Sequence, residues 1–244
     1  MTLCYLAFPP ASIVAMSDYD GFAPVYDALA STMTEDVDFY VSLAAEAEGP
    51  VVELAVGTGR VAIPIAARTH RPVIGIDMSP GMLRAAARNA EAAGVEIDLR
   101  VGDMRELQLD ETTDLVICPF RSLLHLHGHG ERVQVFRAIA EALRPGGRFA
   151  WNAFVFDPDV AAGYDGRWQE DGGIRCRSDY DYDEQRIDLT LEDGSKVHLW
   201  WVDRYEWDNA VAEAGLEVEA LYGWFDRAPF DETSREFVYV ARRP

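Results

Sequence analysis

The chain is short of positive charge and of cysteine, and each shortage excludes functions. It carries 22 Lys and Arg against 42 Asp and Glu over 244 residues, a formal net charge of −20. Binding to nucleic acid depends on neutralising phosphates with Lys and Arg, and no run of either supplies a local basic patch. Anionic membrane surfaces are disfavoured for the same reason. No apolar run approaches the roughly 20 residues needed to span a bilayer. The cysteines, Cys4, Cys118 and Cys176, are far apart, with no CxxC and no Cys/His pair at zinc spacing. A disulfide framework and a structural metal are therefore not expected. No His/Asp/Glu cluster has metal-ligand spacing either. Reduced thiols fit a cytoplasmic protein. Residues 1–15 are apolar but lack the basic start of a secretory signal, and Pro9-Pro10 interrupts them. Two starts are open, at Met1 and at Met16.

What is present is the composition of an ordinary globule, 49% apolar and 26% charged. Its most telling stretch is Val51-Val-Glu-Leu-Ala-Val-Gly-Thr-Gly-Arg60. An apolar run holding one acid turns through glycines and opens into Val61-Ala-Ile-Pro-Ile-Ala-Ala67. That is strand, turn and helix start. Glycine has no Cβ to hold a ligand off, so backbone N–H groups and the helix N-terminus come close to it. A nucleotide-like cofactor is the expected occupant.

Strands are read at 51–56, 72–77, 96–101, 114–119 and 148–154, with helices at about 60–68, 81–93 and 131–143 between them. Ser79-Pro80 is a helix N-cap followed by proline at the first helical position. Helical spacing also runs from Tyr19 to about Ala47 through Phe22, Val25, Tyr26, Leu29 and Ala30. The alternation predicts a parallel, doubly wound α/β sheet with right-handed crossovers. After about Phe156 the rhythm changes. Residues 174–180, 185–191 and 196–202 read as antiparallel strands, with a hairpin turn at Glu192-Asp-Gly-Ser195. A helix at 206–214, closed by Gly215, and strands at 216–222 and 236–242 complete the chain.

Glu53-Leu-Ala-Val-Gly57-Thr-Gly59 resembles the first motif of class I S-adenosylmethionine-dependent methyltransferases, with Ala55 at the first glycine of the usual pattern, a common variant expected to cost little. Three further landmarks follow in order: Asp77 ending the second strand, Gly102-Asp103-Met104 after the third, and Leu143-Arg-Pro-Gly-Gly147 before the fifth. The resemblance covers roughly residues 19–155 and the last two strands. It implies a Rossmann-like, seven-stranded sheet with an antiparallel C-terminal strand, an N-terminal helical lid and an antiparallel insertion. It divides the chain into an extension and lid (1–48), a cofactor-binding core (49–156), an insertion for acceptor or dimer contacts (157–204) and a segment completing the sheet (205–244). The implied cofactor is S-adenosyl-L-methionine. The backbone at Ala55, Gly57 and Gly59 would approach its amino-acid portion and ribose, with Glu53 organising the loop and the amino end. Asp77 would accept from the ribose hydroxyls. Met78 and Met82 would pack near the adenine, or serve the core alone. Asp103 would accept from the adenine amine and the Met104 N–H would reach the ring. Phe120 would face the methionine portion.

A rival exists in Gly57-Thr-Gly59-Arg-Val-Ala62, which matches the GxGxxA of nicotinamide dehydrogenases, with Asp77 near the distance of a ribose acid. Gly102-Asp103-Met104 has no required role there, and the ending of the chain suits the methyltransferases. A non-catalytic S-adenosylmethionine-binding module is a further alternative.

On the acceptor side, Ser122-Leu-Leu-His125-Leu resembles the histidine context of bacterial small-molecule and amino-sugar N-methyltransferases. His125 is the candidate general base, its bland alternative being packing or capping of the next helix. Tyr19 and Tyr26 resemble the lid tyrosines of the same enzymes, Tyr19 toward the cofactor and Tyr26 toward the chemistry. Arg121 would bind an acidic acceptor or, slightly preferred, pair with a carboxylate. The aromatics Tyr164, Trp168, Trp200, Trp201 and Tyr205 suit a small organic acceptor or plain packing. Alternation puts Val197, Leu199 and Trp201 on one face and His198, Trp200 and Val202 on the other, so both faces read as partly apolar. One would cover the site and the other would form a homodimer contact. The expectation is a methyl transfer to nitrogen or oxygen of a small molecule.

Overall fold

The computed structural model describes residues 34–171 and 174–244. Tyr19, Tyr26, Cys4 and most of the expected first helix lie outside the described residues. The elements begin with α1 (Glu35–Glu46), β1 (Val51–Leu54), α2 (Ala62–Thr69), β2 (Val73–Asp77), α3 (Pro80–Ala93) and β3 (Asp98–Val101). They continue through β4 (Thr113–Cys118), α4 (Gly128–Ala142), β5 (Leu143–Phe154), α5 (Pro158–Tyr164), β6 (Arg167–Asp171) and β7 (Ile174–Asp181). The last are β8 (Arg186–Leu191), β9 (Lys196–Trp200), α6 (Arg204–Glu213), β10 (Glu217–Tyr222) and β11 (Glu236–Arg242).

Seven strands form one sheet in the order β10-β11-β5-β4-β1-β2-β3. The run from β5 to β3 is parallel, and β11 lies antiparallel to both of its neighbours. Parallel strands are covered on both faces, which is why β1 is buried at every position. On one face Phe136, Phe149, Trp151, Trp207 and Tyr239 pack with α4 and α6. Phe39, Tyr40, Ile65 and Leu83 pack on the other, beneath α1, α2 and α3.

Local chemistry sets the boundaries. The first strand stops short of the expected residue 56 because Ala55 turns to φ +53°. An L side chain pays about 1–2 kcal/mol in that left-handed region, so alanine here is not free of cost. Pro145-Gly-Gly147 does not break the chain before β5. A register shift between Thr113 and Leu115 absorbs it and the strand starts at Leu143. Helix α3 begins as its sequence requires: the Ser79 hydroxyl accepts the Met82 N–H at 3.1 Å, and Gly94 closes the far end at φ +70°. Ser79→Ala should cost about 1 kcal/mol, a Tm drop of about 2–4 °C read by thermal melting of the ligand-free protein. A change below one degree would mean that the cap bond is not formed in solution.

The second sheet runs β6-β7-β8-β9, all antiparallel. The edge strand β6 and the short helix α5 were not expected, because Arg167-Trp-Gln-Glu-Asp171 lacks a clean apolar alternation and α5 has only 7 residues. The faces of this sheet also differ from the reading. Ile187, Leu191 and Val197 are buried on one face. The register puts Arg186, Asp188, Thr190, Lys196 and His198 together on the other, so that face is largely charged. There His198 Nδ1 lies 2.7 Å from an Asp188 oxygen that also accepts from the Arg186 Nε at 2.7 Å. Trp200 is the aromatic exception on this face, its ring 5.0 Å from that of His127.

Candidate functional site

The chemistry-bearing residues gather where β1, β2, β3 and β4 end. The strand order reverses direction between β1 and β4. That crevice, outside the carboxyl ends of the strands, is where open α/β sheets hold ligands. Gly57 and Gly59 adopt φ +55° and +86°, a backbone path that L side chains resist. A Cβ on Gly59 would lie 3.0 Å from the Ile63 side chain. Asp77, the last residue of β2, holds the turn in place. One carboxylate oxygen accepts the Gly57 N–H at 2.8 Å, and the other accepts the Ser79 N–H at 2.8 Å. From α3, the Asn89 amide donates to the Thr58 carbonyl at 3.0 Å. Asn89 was not anticipated, because its partner is 31 positions away.

Glu53 sits inside β1 with 3% exposure, and its Oε2 has no hydrogen-bond partner. Burial pushes its carboxyl well above the usual carboxylate range, against the pull of Arg60 and of the Ala62 N–H. Arg60 itself is committed elsewhere: it grips the fully buried Asp36 of α1 through two bonds of 2.7 and 2.6 Å. Its guanidinium also lies over the Phe120 ring, 4.8 Å from the centroid.

Met78 is 45% exposed beside Asp77, while Met82 is a core residue at 2%. Asp103 caps the short 3-10 turn Met104–Glu106. Its carboxylate accepts from the Arg105 backbone N–H at 2.9 Å and from the Arg105 guanidinium at 2.5–3.0 Å. Burial raises the Asp103 carboxyl, but the Arg105 bonds outweigh it and hold it below the ordinary value. Met104 packs partly buried against the core.

On the far side of the crevice, Phe120 and Arg121 are both left-handed, at φ +57° and +64°. Such positions are costly for side chains that are not glycine, and persist where surrounding contacts fix them. The contact here is a two-bond ion pair of Arg121 with the buried Glu236 of β11, at 3.1 and 2.8 Å. Glu236 also accepts from Asn152 at 2.7 Å, and Asn152 accepts from the Tyr40 hydroxyl at 3.0 Å. Of the two roles open to Arg121, the structure shows the carboxylate pair. The chain Arg121–Glu236–Asn152–Tyr40 was invisible in the sequence.

His125 ends the 3-10 turn Ser122–His125, half-buried. Its Nδ1 is 3.1 Å from the His198 carbonyl on β9. A carbonyl oxygen only accepts, so Nδ1 carries the hydrogen and a neutral ring keeps its lone pair on Nε2. The second sheet thereby fixes the histidine tautomer. His129 lies in the first turn of α4 and pairs with Glu213 at 3.0 Å, a surface contact. Among the described residues no group of three or more His, Cys, Asp or Glu is placed to hold a metal. None of the described helices is long and apolar enough to cross a membrane. A groove of about 310 Å³ lies at the opposite ends of β4 and β5, lined by Asp114, Arg144 and Arg148. Arg144 pairs with Asp114, and Arg148 with Glu46 and Glu219, so the charges there serve the fold.

Residues 51–147 match a family model described as a methyltransferase domain. A ubiquinone/menaquinone biosynthesis C-methyltransferase of Syntrophotalea carbinolica is 35% identical over 140 residues, 53% of this chain and 56% of that protein. The chain spans about half the length of the curated relatives it matches. Among solved structures, the CcbJ methyltransferase from Streptomyces caelestis is 27% identical at a TM-score of 0.75, covering 93% of this chain and 98% of that one. The sugar N-methyltransferase KedS8 from a Streptoalloteichus species shares the fold at 20% identity and a TM-score of 0.66, over 100% of this chain and 99% of that one.

Proposed function

We propose that this chain is an S-adenosylmethionine-dependent methyltransferase, a reading supported by the methyltransferase domain it matches and by its fold, and that it moves a methyl group to a nitrogen or oxygen of a small molecule. Nitrogen is favoured by the setting of His125. The observation that carries the reading is the bond between Asp77 and the Gly57 N–H. It ties the ribose-binding candidate to the turn that must approach the rest of the cofactor.

The residues suit that cofactor. Glu53 presents a buried, unpartnered oxygen at the foot of the turn, and Met78 offers an open apolar surface beside Asp77. When bound, S-adenosyl-L-methionine supplies a methyl group on a sulfonium, with a neutral thioether as leaving group. An ionised carboxylate has about four acceptor directions. Asp77 accepts from the Gly57 and Ser79 N–H groups, and its carboxylate would also accept from the ribose hydroxyls. Asp103 shares its carboxylate between Arg105 and the adenine amine. Phe120, backed by Arg60, forms a wall on the methionine side. The chain then has to align a nucleophile in line and exclude water. His125 takes the acceptor's proton at Nε2, while the His198 carbonyl holds the ring at Nδ1. The acidic surface disfavours tRNA, rRNA and DNA as acceptors. One solved neighbour is named a sugar N-methyltransferase and another an amino pentose methyltransferase, which supports an amine-bearing acceptor. The cytoplasm fits an enzyme of this kind.

Calorimetric titration with S-adenosylmethionine and S-adenosylhomocysteine, with NADH and NADPH as controls, tests the reading. Binding of the first pair alone supports it, and binding of a nicotinamide alone defeats it. Asp77→Ala should weaken cofactor binding by about tenfold or more, the loss of hydrogen bonds to a charged group. A melt of the same variant separates this from damage to the turn. Unchanged affinity would remove Asp77 from the site.

A further inference from the structure

Two buried carboxylates face one guanidinium at the foot of the glycine turn. Asp36 is fully buried and takes both arms of Arg60, at 2.7 and 2.6 Å. Glu53 is 3% exposed, its Oε2 has no partner, and among the described residues it has no cation of its own. Among the described residues, the other ionisable groups that act on it are Asp77 from β2 and Cys118 from β4. Asp77 adds negative charge, and Cys118 is a buried thiol pushed further up by Glu53 itself. A second naked charge in this place costs several kcal/mol, and a carboxyl avoids that cost by keeping its proton.

We propose that Glu53 holds a proton in the free protein and releases it when the ammonium group of the cofactor's amino-acid portion binds. This rests on the cofactor reading above. The balance is simple. The carboxylic O–H breaks, the proton leaves to solvent, and the new carboxylate is compensated by the positive charge that the ligand brings. Glu53 then acts as a charge-matching residue. It costs the empty protein little as a neutral acid and becomes an anion only when a cation arrives. Free energy is spent on deprotonation, so affinity should rise with pH, by up to about tenfold per unit while Glu53 is protonated in the free state.

The test is calorimetry with S-adenosylhomocysteine at about pH 6.5, where an α-amino group is already protonated and contributes no change of its own. Repeating the titration in phosphate and in imidazole, whose ionisation heats differ, counts the protons released. Wild type should release between about half a proton and one proton per ligand. Glu53→Gln keeps the size of the side chain and should release none. An equal count in both proteins, or no release by wild type, overturns the proposal. If folded wild type binds no ligand, the cofactor reading itself fails and takes the proposal with it. Infrared difference spectra of wild type give a measure that needs no variant. The carbonyl band of a protonated carboxylic acid should disappear on binding, and a spectrum without that loss also overturns the assignment.

Discussion

Asp36→Ala should destabilise the protein by about 3–5 kcal/mol, the usual cost of stranding one partner of a buried ion pair. Asp36 is fully buried and Arg60 keeps only 15% of its side chain exposed, so water cannot replace the lost partner. The variant removes both charge-assisted bonds at once. It also takes an acid from the first turn of α1, where Thr34 provides no side-chain cap and where acidic groups offset the helix dipole. Urea denaturation measures the effect as a drop in midpoint at constant slope. The double variant Asp36→Leu with Arg60→Met should regain much of the loss, because neither charge is then buried alone. A single-variant loss below about 1 kcal/mol would mean that Arg60 finds another anion, for which Glu53, already under its electrostatic influence, is a candidate.

His125→Ala should lower methyl transfer by about a hundredfold or more, the ordinary contribution of a positioned general base. Cofactor affinity should hardly change, since the proposed task of His125 lies on the acceptor side. The assay uses an acceptor found by screening small amines and alcohols, with transfer of labelled methyl as the readout. The split between turnover and cofactor affinity separates catalysis from packing. If activity and thermal stability fall together, the ring serves the junction with β9, where its Nδ1 meets the His198 carbonyl. Dependence of the rate on pH should follow the same logic. Only the neutral ring accepts a proton, so the wild-type rate should rise as the imidazole loses its charge, and that limb should vanish in the variant.

Much of this architecture is legible in local sequence. The strand, glycine turn and helix at 51–67 are announced by an apolar run and by glycines that the turn requires. Ser79-Pro80 announces α3, and Gly94 its end. The hairpin at 192–195 and β11 at Glu236–Arg242 are equally local. The polar interior is not. Arg60 meets Asp36 across 24 positions and Arg121 meets Glu236 across 115, and no periodicity links such pairs. From sequence, Asp36, Arg60 and Glu236 read as ordinary surface charges in a strongly acidic chain, and Arg121 as pairing with some carboxylate whose identity the sequence does not give. Helix α5 carries a readable start in Asp157-Pro158, where the aspartate caps the next N–H groups, but it is too short to show an amphipathic repeat. The charged face of β8 and β9 does not show in the sequence of β9 alone. Pairing it with Arg186-Ile-Asp-Leu-Thr190 makes the two faces plain.

The position of β11 has a consequence for how the chain acquires its structure. This strand comes last among the described elements, yet it lies between β5 and β10 rather than at an edge. Until it is made, β5 shows a bare edge of unpaired backbone groups and β10 has no neighbour in the sheet. Glu236 arrives on the same strand, so Arg121 waits for its partner across 115 positions. Pairing of such high contact order is slow, and open edges favour association between unfinished molecules. During synthesis, the left-handed turn at Phe120 and Arg121 should therefore gain its ion pair only once β11 has emerged. Chains cut before residue 236 should retain the parallel half of the sheet, aggregate through β5, and lack the ion pair that holds the turn at Phe120 and Arg121.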